Sequence, residues 1–245
     1  MRAALSGAAN RSPLLETHYM LHARETWVFD LDNTLYPAES RLFDRIDVRM
    51  ERFIAELFDL PGPEARKLQK DYFFAYGTTL KGLMERHGVA PKSFLDYVHD
   101  IDISDIARNA ELNALLAALP GRKLVYTNGS ERHAERLLDQ IGIAAHFDGV
   151  FDIAAGDYEP KPQPLSYERF VERFDVNPQN AVMVEDMARN LAPAHEMGMA
   201  TIWIDTGSDW GAKGADQHYV HHRTRSLEAF LADVVDQGVK GSPDE

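Results

Sequence analysis

The sequence predicts an α/β fold, a parallel sheet with helices on both faces, interrupted by an all-helical block after the first strand. Three observations carry this. Short apolar runs alternate with segments of helical periodicity, and each apolar run ends on a polar residue. Between about Ala38 and Leu119 the runs stop, and apolar residues recur three and four apart instead.

Taken in chain order, Thr26-Trp27-Val28-Phe29 leads into Asp30, Lys123-Leu124-Val125-Tyr126 into Thr127, Ala181-Val182-Met183-Val184 into Glu185, and Ala200-Thr201-Ile202-Trp203-Ile204 into Asp205. Ligands of open parallel sheets bind beyond the carboxyl ends of the strands, so these polar residues are expected along one edge. Ser130 can cap a helix carrying Ala134, Leu137, Leu138 and Ile141, and Gly142 is placed to end it. Pro164 suits the first turn of a helix with Phe170, Val171 and Phe174 on one side. Gly198 follows the segment Ala188 to Met197, in which Pro193 marks an opening turn or a kink.

In the inserted block Leu42, Ile46, Met50, Phe53, Ile54 and Leu57 keep helical spacing, and shorter helices are expected around Ala65 to Tyr76, Thr79 to His87 and Lys92 to His99. Tyr72, Phe73 and Phe74 read as core of that block. The limits expected are a loose arm over 1–24, a sheet core over 25–37 and 113–237, a helical cap over 38–112, and a tail over 238–245. A cap so placed can close over the strand ends and exclude water.

Composition narrows the function. A chain of 245 residues and 27.6 kDa suits one domain with a sizeable insertion. Its 26 Lys plus Arg against 39 Asp plus Glu, a net charge of -13, argue against nucleic acid as a partner. No uncharged apolar stretch approaches the roughly 18 residues of a membrane span. The absence of cysteine excludes disulfides and thiolate chemistry, and the reading is a cytoplasmic protein, monomer or homodimer.

The segment Phe29-Asp30-Leu31-Asp32-Asn33-Thr34-Leu35-Tyr36 is the most informative. Two carboxylates two residues apart at a strand end can share one side of the backbone, where their repulsion calls for a cation. Mg²⁺ fits, since it takes hard oxygen ligands and bridges carboxylate to phosphate. An Asp-rich surface turn has the same composition, and glycosyltransferases use such pairs as metal sites. Thr127-Asn128-Gly129-Ser130 offers a hydroxyl, an amide and free backbone N–H groups at a helix mouth, a setting for an anion or simply a helix cap. Lys161 stands between Pro160 and Pro162, aimed with little entropy loss or else solvated in a loop. Glu185-Asp186 follows a wholly apolar run, which suits a metal or base as well as a helix N-terminus.

In this order the four segments resemble the haloacid dehalogenase-like hydrolase superfamily, over about Thr26 to Asp205. The resemblance implies a Rossmann-like core with a C1-type cap. It also implies Asp30 as nucleophile, Asp32 as general acid/base, Thr127, Asn128 and Gly129 around the phosphate, and Lys161 as the neutralising cation. Mg²⁺ would be held by Asp30, Asp32, Glu185 and Asp186, and Asn190 stands where many relatives have a second aspartate. The receiver-type alternative places its acid pair before the acceptor and has no helical insertion.

Within the superfamily, Asp32-Asn33-Thr34-Leu35-Tyr36-Pro37, Tyr76-Gly77-Thr78-Thr79-Leu80, Phe94 to Asp102 and Glu185 to Leu191 resemble the pyrimidine 5′-nucleotidase group. That resemblance implies hydrolysis of UMP or CMP through an aspartyl-phosphate. Another small phosphomonoester, or a phosphomutase or phosphonatase reaction, stays open. Tyr76, Thr78, Thr79 and His99 are the cap residues expected to meet base and ribose, or else to pack and cap. His218, His221 and His222 lie late in the chain beside Arg223 and Arg225 with no carboxylate set around them, so no metal site is expected there.

Overall fold

Residues 21–241 are described by a computed structural model. Six strands, β1 (Thr26–Phe29), β2 (Arg122–Tyr126), β3 (Gly149–Phe151), β4 (Ala181–Glu185), β5 (Ala200–Ile204) and β6 (His222–Thr224), form one parallel sheet in the order β3-β2-β1-β4-β5-β6. The order reverses between β1 and β4, which opens the crevice where ligands of such sheets bind. Register aligns that crevice: Phe29 pairs with Val125 on one side and Val184 on the other, so Asp30 falls level with Tyr126 and Glu185.

The central strands are buried on both faces, as their unbroken apolar runs require. Alternation sends Trp27, Phe29, Val125, Val184 and Ile202 into one core layer, and Val28, Leu124, Tyr126, Met183 and Trp203 into the other.

Helices α1 (Leu42–Phe58), α2 (Gly62–Tyr76), α3 (Thr79–His87) and α4 (Pro91–Val98) follow β1 and pack on one another. The bend between α2 and α3 uses Gly77 at φ 87°, which a side chain would strain, and Thr78 then caps α3 by accepting from the Lys81 N–H at 3.1 Å.

The first core layer is covered by α5 (Ala110–Ala118), α6 (Glu131–Ile141) and α9 (Leu227–Gly241); the second by α7 (Pro164–Phe174) and α8 (Leu191–Glu196). Asn109 caps α5 and donates to Glu228 of α9 at 2.8 Å, tying the end of the inserted block to the core. Pro193 lies in the opening turn of α8.

Three expectations change. Strands β3 and β6 add two edges beyond the four apolar runs. Most of the expected arm and part of the tail lie outside the described residues, yet Leu21 is buried and the His22 ring lies against Gly238, so residues 21 and 22 pack on the core. Phe74 is exposed rather than core. No described helix is long and apolar enough to cross a membrane.

Candidate active site

β1 delivers Asp30 to the crevice, and the backbone holds it there through Asp30 N–H to Val184 O at 2.9 Å. The chain then turns sharply: Thr34 and Leu35 both donate to Leu31 O, with Asn33 at φ 60°. That turn brings Thr34 Oγ1 within 3.0 Å of Asp30 Oδ2 and Tyr36 OH within 2.7 Å of Asp32 Oδ1.

Lys161, 1% exposed, is the cation of the site. Its Nζ donates to Asp30 Oδ1 at 2.7 Å, Tyr126 O at 2.7 Å and Glu185 Oε1 at 2.9 Å, which uses its three protons. Asn128 fixes the backbone of that loop, accepting from Lys161 N–H at 2.8 Å and donating to Lys161 O at 3.3 Å. Asn128 therefore holds the lysine as well as lining the cavity. Thr127 Oγ1 accepts from Gly129 N–H at 2.9 Å, shaping the anion-facing turn before α6.

Asp30, Glu185 and Asp186 are all buried, with carboxylate oxygens within 4.8 Å of one another, the one such group among the described residues. Burial, then Glu185, pushes the Asp30 carboxyl up to about 7 against the pull of Lys161. Burial, then Glu185 and Asp30, likewise pushes Asp186 well above the carboxylate range. Burial also opposes the charge on Glu185, but Lys161, the Met187 N–H and Asn190 hold its carboxyl down. Such mutual repulsion is what a divalent cation relieves. The donor set fits one of the hard type: acid oxygens, plus Asn190 Oδ1, a buried amide oxygen without a protein partner. Asn190 Nδ2 donates to Glu185 Oε1 at 2.5 Å.

Asp32 stands apart from that group. Its Oδ1 receives Tyr36 OH and lies 3.3 Å from His133 Nε2. Burial raises its carboxyl, and the bonds from His133 and Tyr36 outweigh this, leaving it below the usual range. Its side chain thus does not join the carboxylates placed to hold a metal.

The crevice opens into a cavity of about 690 Å³ between helical block and sheet edge, within the range of small-molecule sites. Thr78, Thr79 and His99 line it; Tyr76 does not, because its ring turns back edge-on to Tyr72 at 5.8 Å. Thr79 Oγ1 donates to Gln69 O at 3.1 Å. His99 is buried, with burial and then His133 driving its imidazole down to about 3, so the ring is neutral.

Sequence reading missed Phe73, Phe74, Arg189 and Trp210, which line the same cavity. Phe74 stacks on Trp210 at 4.9 Å, with Lys213 over both rings, and the Arg189 guanidinium lies over Phe73 at 4.6 Å. His133 was also missed; it falls on the buried stripe of an amphipathic helix, in register with Ala134, Leu137 and Ile141, and that placement is the signal the sequence carries. Of the three late histidines singled out in the sequence, His218 and His221 pack instead on His195, with ring centroids 5.2 and 4.9 Å away and His221 Nε2 3.1 Å from His195 Nδ1, while His222 lies on β6 against Phe230.

A sequence profile described as haloacid dehalogenase-like hydrolase matches residues 25–198. The chain belongs to the haloacid dehalogenase-like hydrolases. Among curated relatives of this hydrolase, phosphate metabolism protein 8 of Saccharomyces cerevisiae is 25% identical over 87% of the chain and 71% of its own length. Phosphoglycolate phosphatase of Chromobacterium violaceum is 36% identical, but over only 42% of the chain and 46% of the relative. The solved haloacid dehalogenase phosphatase of Thermococcus onnurineus has the same fold: TM-score 0.56 at 18% identity, covering 89% of this chain and 98% of that one.

Proposed function

We propose that this hydrolase is a Mg²⁺-dependent phosphatase acting through an aspartyl-phosphate on Asp30, with a pyrimidine nucleoside monophosphate, UMP or CMP, as substrate. The observation that carries the reading is the division of labour between two neighbouring carboxylates. Asp30 sits with Lys161 and the buried acids, whereas Asp32 faces the same cavity on partners of its own.

Phosphoryl transfer asks chiefly for in-line positioning and charge stabilisation. Thr34 holds Oδ2 of Asp30 and Lys161 holds Oδ1, which fixes the orientation of the carboxylate for attack on phosphorus. Thr127 and the turn through Gly129 present a hydroxyl and backbone N–H groups to the phosphate. Bound Mg²⁺ would supply Lewis-acid neutralisation of the phosphate oxygens, held by Asp30, Glu185 and Asp186. Asp32, ionised in the free site, takes up a proton when the phosphate brings further negative charge beside it. It returns that proton to the leaving alcohol and then activates water against the aspartyl-phosphate.

The cavity supports a leaving group larger than phosphate needs. Phe73, Phe74 and Trp210 offer flat surfaces for a base, and Thr78, His99 and Ser208 offer hydrogen bonds to base or ribose. The block 38–112 acts as the specificity cap, and cytoplasmic residence accords with a chain without cysteine. The phosphoglycolate phosphatase match favours a small carboxylated phosphomonoester as the second reading.

A panel of phosphomonoesters with Mg²⁺ decides between them. UMP and CMP should exceed AMP, GMP and phosphoglycolate in kcat/KM by about tenfold or more, one stacking or hydrogen-bonded contact being worth roughly 1.4 kcal/mol. Preference for phosphoglycolate would install the second reading, and no turnover of any ester would remove both.

A further inference from the structure

His133 lies in the first turn of α6 and is 1% exposed. Its Nε2 is 3.3 Å from Asp32 Oδ1, and an ionised carboxylate only accepts, so Nε2 carries the ring proton. Nδ1 is buried with no partner. A residue serving packing alone would not leave a ring nitrogen orphaned in a helix whose neighbours are Ala134, Leu137 and Leu138.

The ring is held on more than one side. His99, from the end of α4, stacks on it at 4.3 Å and 6°. Ser130 Oγ accepts from the His133 backbone N–H at 3.4 Å and lies within hydrogen-bond distance of His99 Nδ1, at 2.9 Å, so one side chain ties the His133 backbone to the His99 ring. Tyr36 OH reaches the same Asp32 oxygen at 2.7 Å. Oδ1 therefore has two donors, while Oδ2 has none among the described residues and Asp32 faces the cavity.

We propose that His133 is a positioning residue which, with Tyr36, clamps Oδ1 of Asp32 and so presents Oδ2 as the oxygen that exchanges a proton with the substrate, the cap-borne His99 ring completing the clamp. The inference rests on the phosphatase reading above. In the step it serves, an Asp30 oxygen forms a bond to phosphorus and the ester P–O bond breaks. The released electron pair stays on the ester oxygen, and that oxygen takes the proton from Asp32 Oδ2. A misaimed Oδ2 matters only where the leaving oxygen needs that proton. An alkoxide such as the ribose 5′-oxygen does; 4-nitrophenolate does not.

The test compares His133→Phe, which keeps the stack and the volume but donates nothing, with His133→Gln, whose amide donates from near the place of Nε2. The readout is kcat/KM, which covers steps through loss of the leaving group, for UMP and for 4-nitrophenyl phosphate. His133→Phe should lose about 10²-fold on UMP, the lower range for general acid catalysis, and less than about threefold on the aryl ester. His133→Gln should recover most of the loss, and Asp32→Asn combined with His133→Phe should be no worse than Asp32→Asn alone. Equal losses on both esters, or an unchanged UMP rate, would overturn the clamp.

Imidazole ¹⁵N NMR of the intact protein reads the clamp without turnover. His133 should be the Nε2–H tautomer, its signal shifting with Asp32→Asn and not with Asp30→Asn. An Nδ1–H tautomer overturns this inference whatever the substrate proves to be. Absence of phosphatase activity with the Nε2–H tautomer in place would overturn the functional reading and the catalytic part of the clamp, leaving only its geometry.

Discussion

Lys161 touches two buried carboxylates and a carbonyl, so its removal has consequences beyond catalysis. Lys161→Met leaves Asp30 and Glu185 facing each other without a cation, a loss typically of about 3–5 kcal/mol for a broken buried pair. Urea denaturation of the metal-free protein should show it, and an unchanged midpoint would mean that the lysine is not the neutralising group. Asp30→Asn has the opposite signature: turnover should fall by about 10³-fold or more, roughly 4 kcal/mol of barrier. Stability without metal should rise, because one of the mutually repelling acids becomes neutral while Lys161 keeps Glu185. A variant that loses activity and stability together would point to misfolding instead of a lost nucleophile. Asp30, Asp32, Thr127, Lys161, Glu185 and Asp186 could be singled out in the sequence because each closes an apolar run, follows within two residues of such a position, or lies between prolines, where polar chemistry is conspicuous. His133 and Arg189 were not, because their roles depend on rings and carboxylates supplied by distant segments.

At the scale of elements, legibility followed burial. Strands β1, β4 and β5 are covered on both faces and therefore read as continuous apolar runs, whereas β3 and β6 are three-residue edges with partly exposed residues such as His222 and Arg223. The cap helices were legible from their periodicity, but periodicity cannot say which apolar face meets the core and which a cavity. Phe73 and Phe74, read as core, are at the cavity for that reason. The Phe74–Trp210 stack joins α2 of the cap to the loop after β5 and forms one wall of the cavity. Trp210→Ala should raise KM for UMP by up to about tenfold, the equivalent of one aromatic contact of roughly 0.5–1.5 kcal/mol. The same variant should leave kcat/KM for a small aryl phosphate within about twofold. Equal effects on both substrates would assign the stack to cap stability instead of base recognition.

For the whole molecule the governing quantity is charge. A chain of net charge -13 gathers Asp30, Asp32, Glu185 and Asp186 at one sheet edge, with Lys161 as the cation in direct contact. The arrangement stores repulsion that depends on pH and on metal. Asp30 has a folded pKa of about 7 against about 3.9 in an unfolded chain, so its contribution to stability is complete below about pH 4. That contribution is lost as pH rises through 7. Asp186, pushed in the same direction, adds to the loss. On the Mg²⁺ dependence proposed above, the cation competes with those protons and restores the stability where they have left. Its effect on Tm should therefore be small at pH 5 and large at pH 8. At a concentration near 100 Kd the linkage is about 2.7 kcal/mol, or roughly 5–10 °C for a chain of this size. Thermal melts at the two pH values, with Mg²⁺ and with chelator, measure it. A shift that is equal at both, or larger at pH 5, would mean that the acids at the sheet edge do not hold the metal. Asp186→Asn should then be compared with wild type at pH 8, since it removes one ligand charge and one source of repulsion together. A smaller Mg²⁺ shift with a higher metal-free Tm is the expected pair of changes, and either one alone would separate metal ligation from charge relief as the work of this residue.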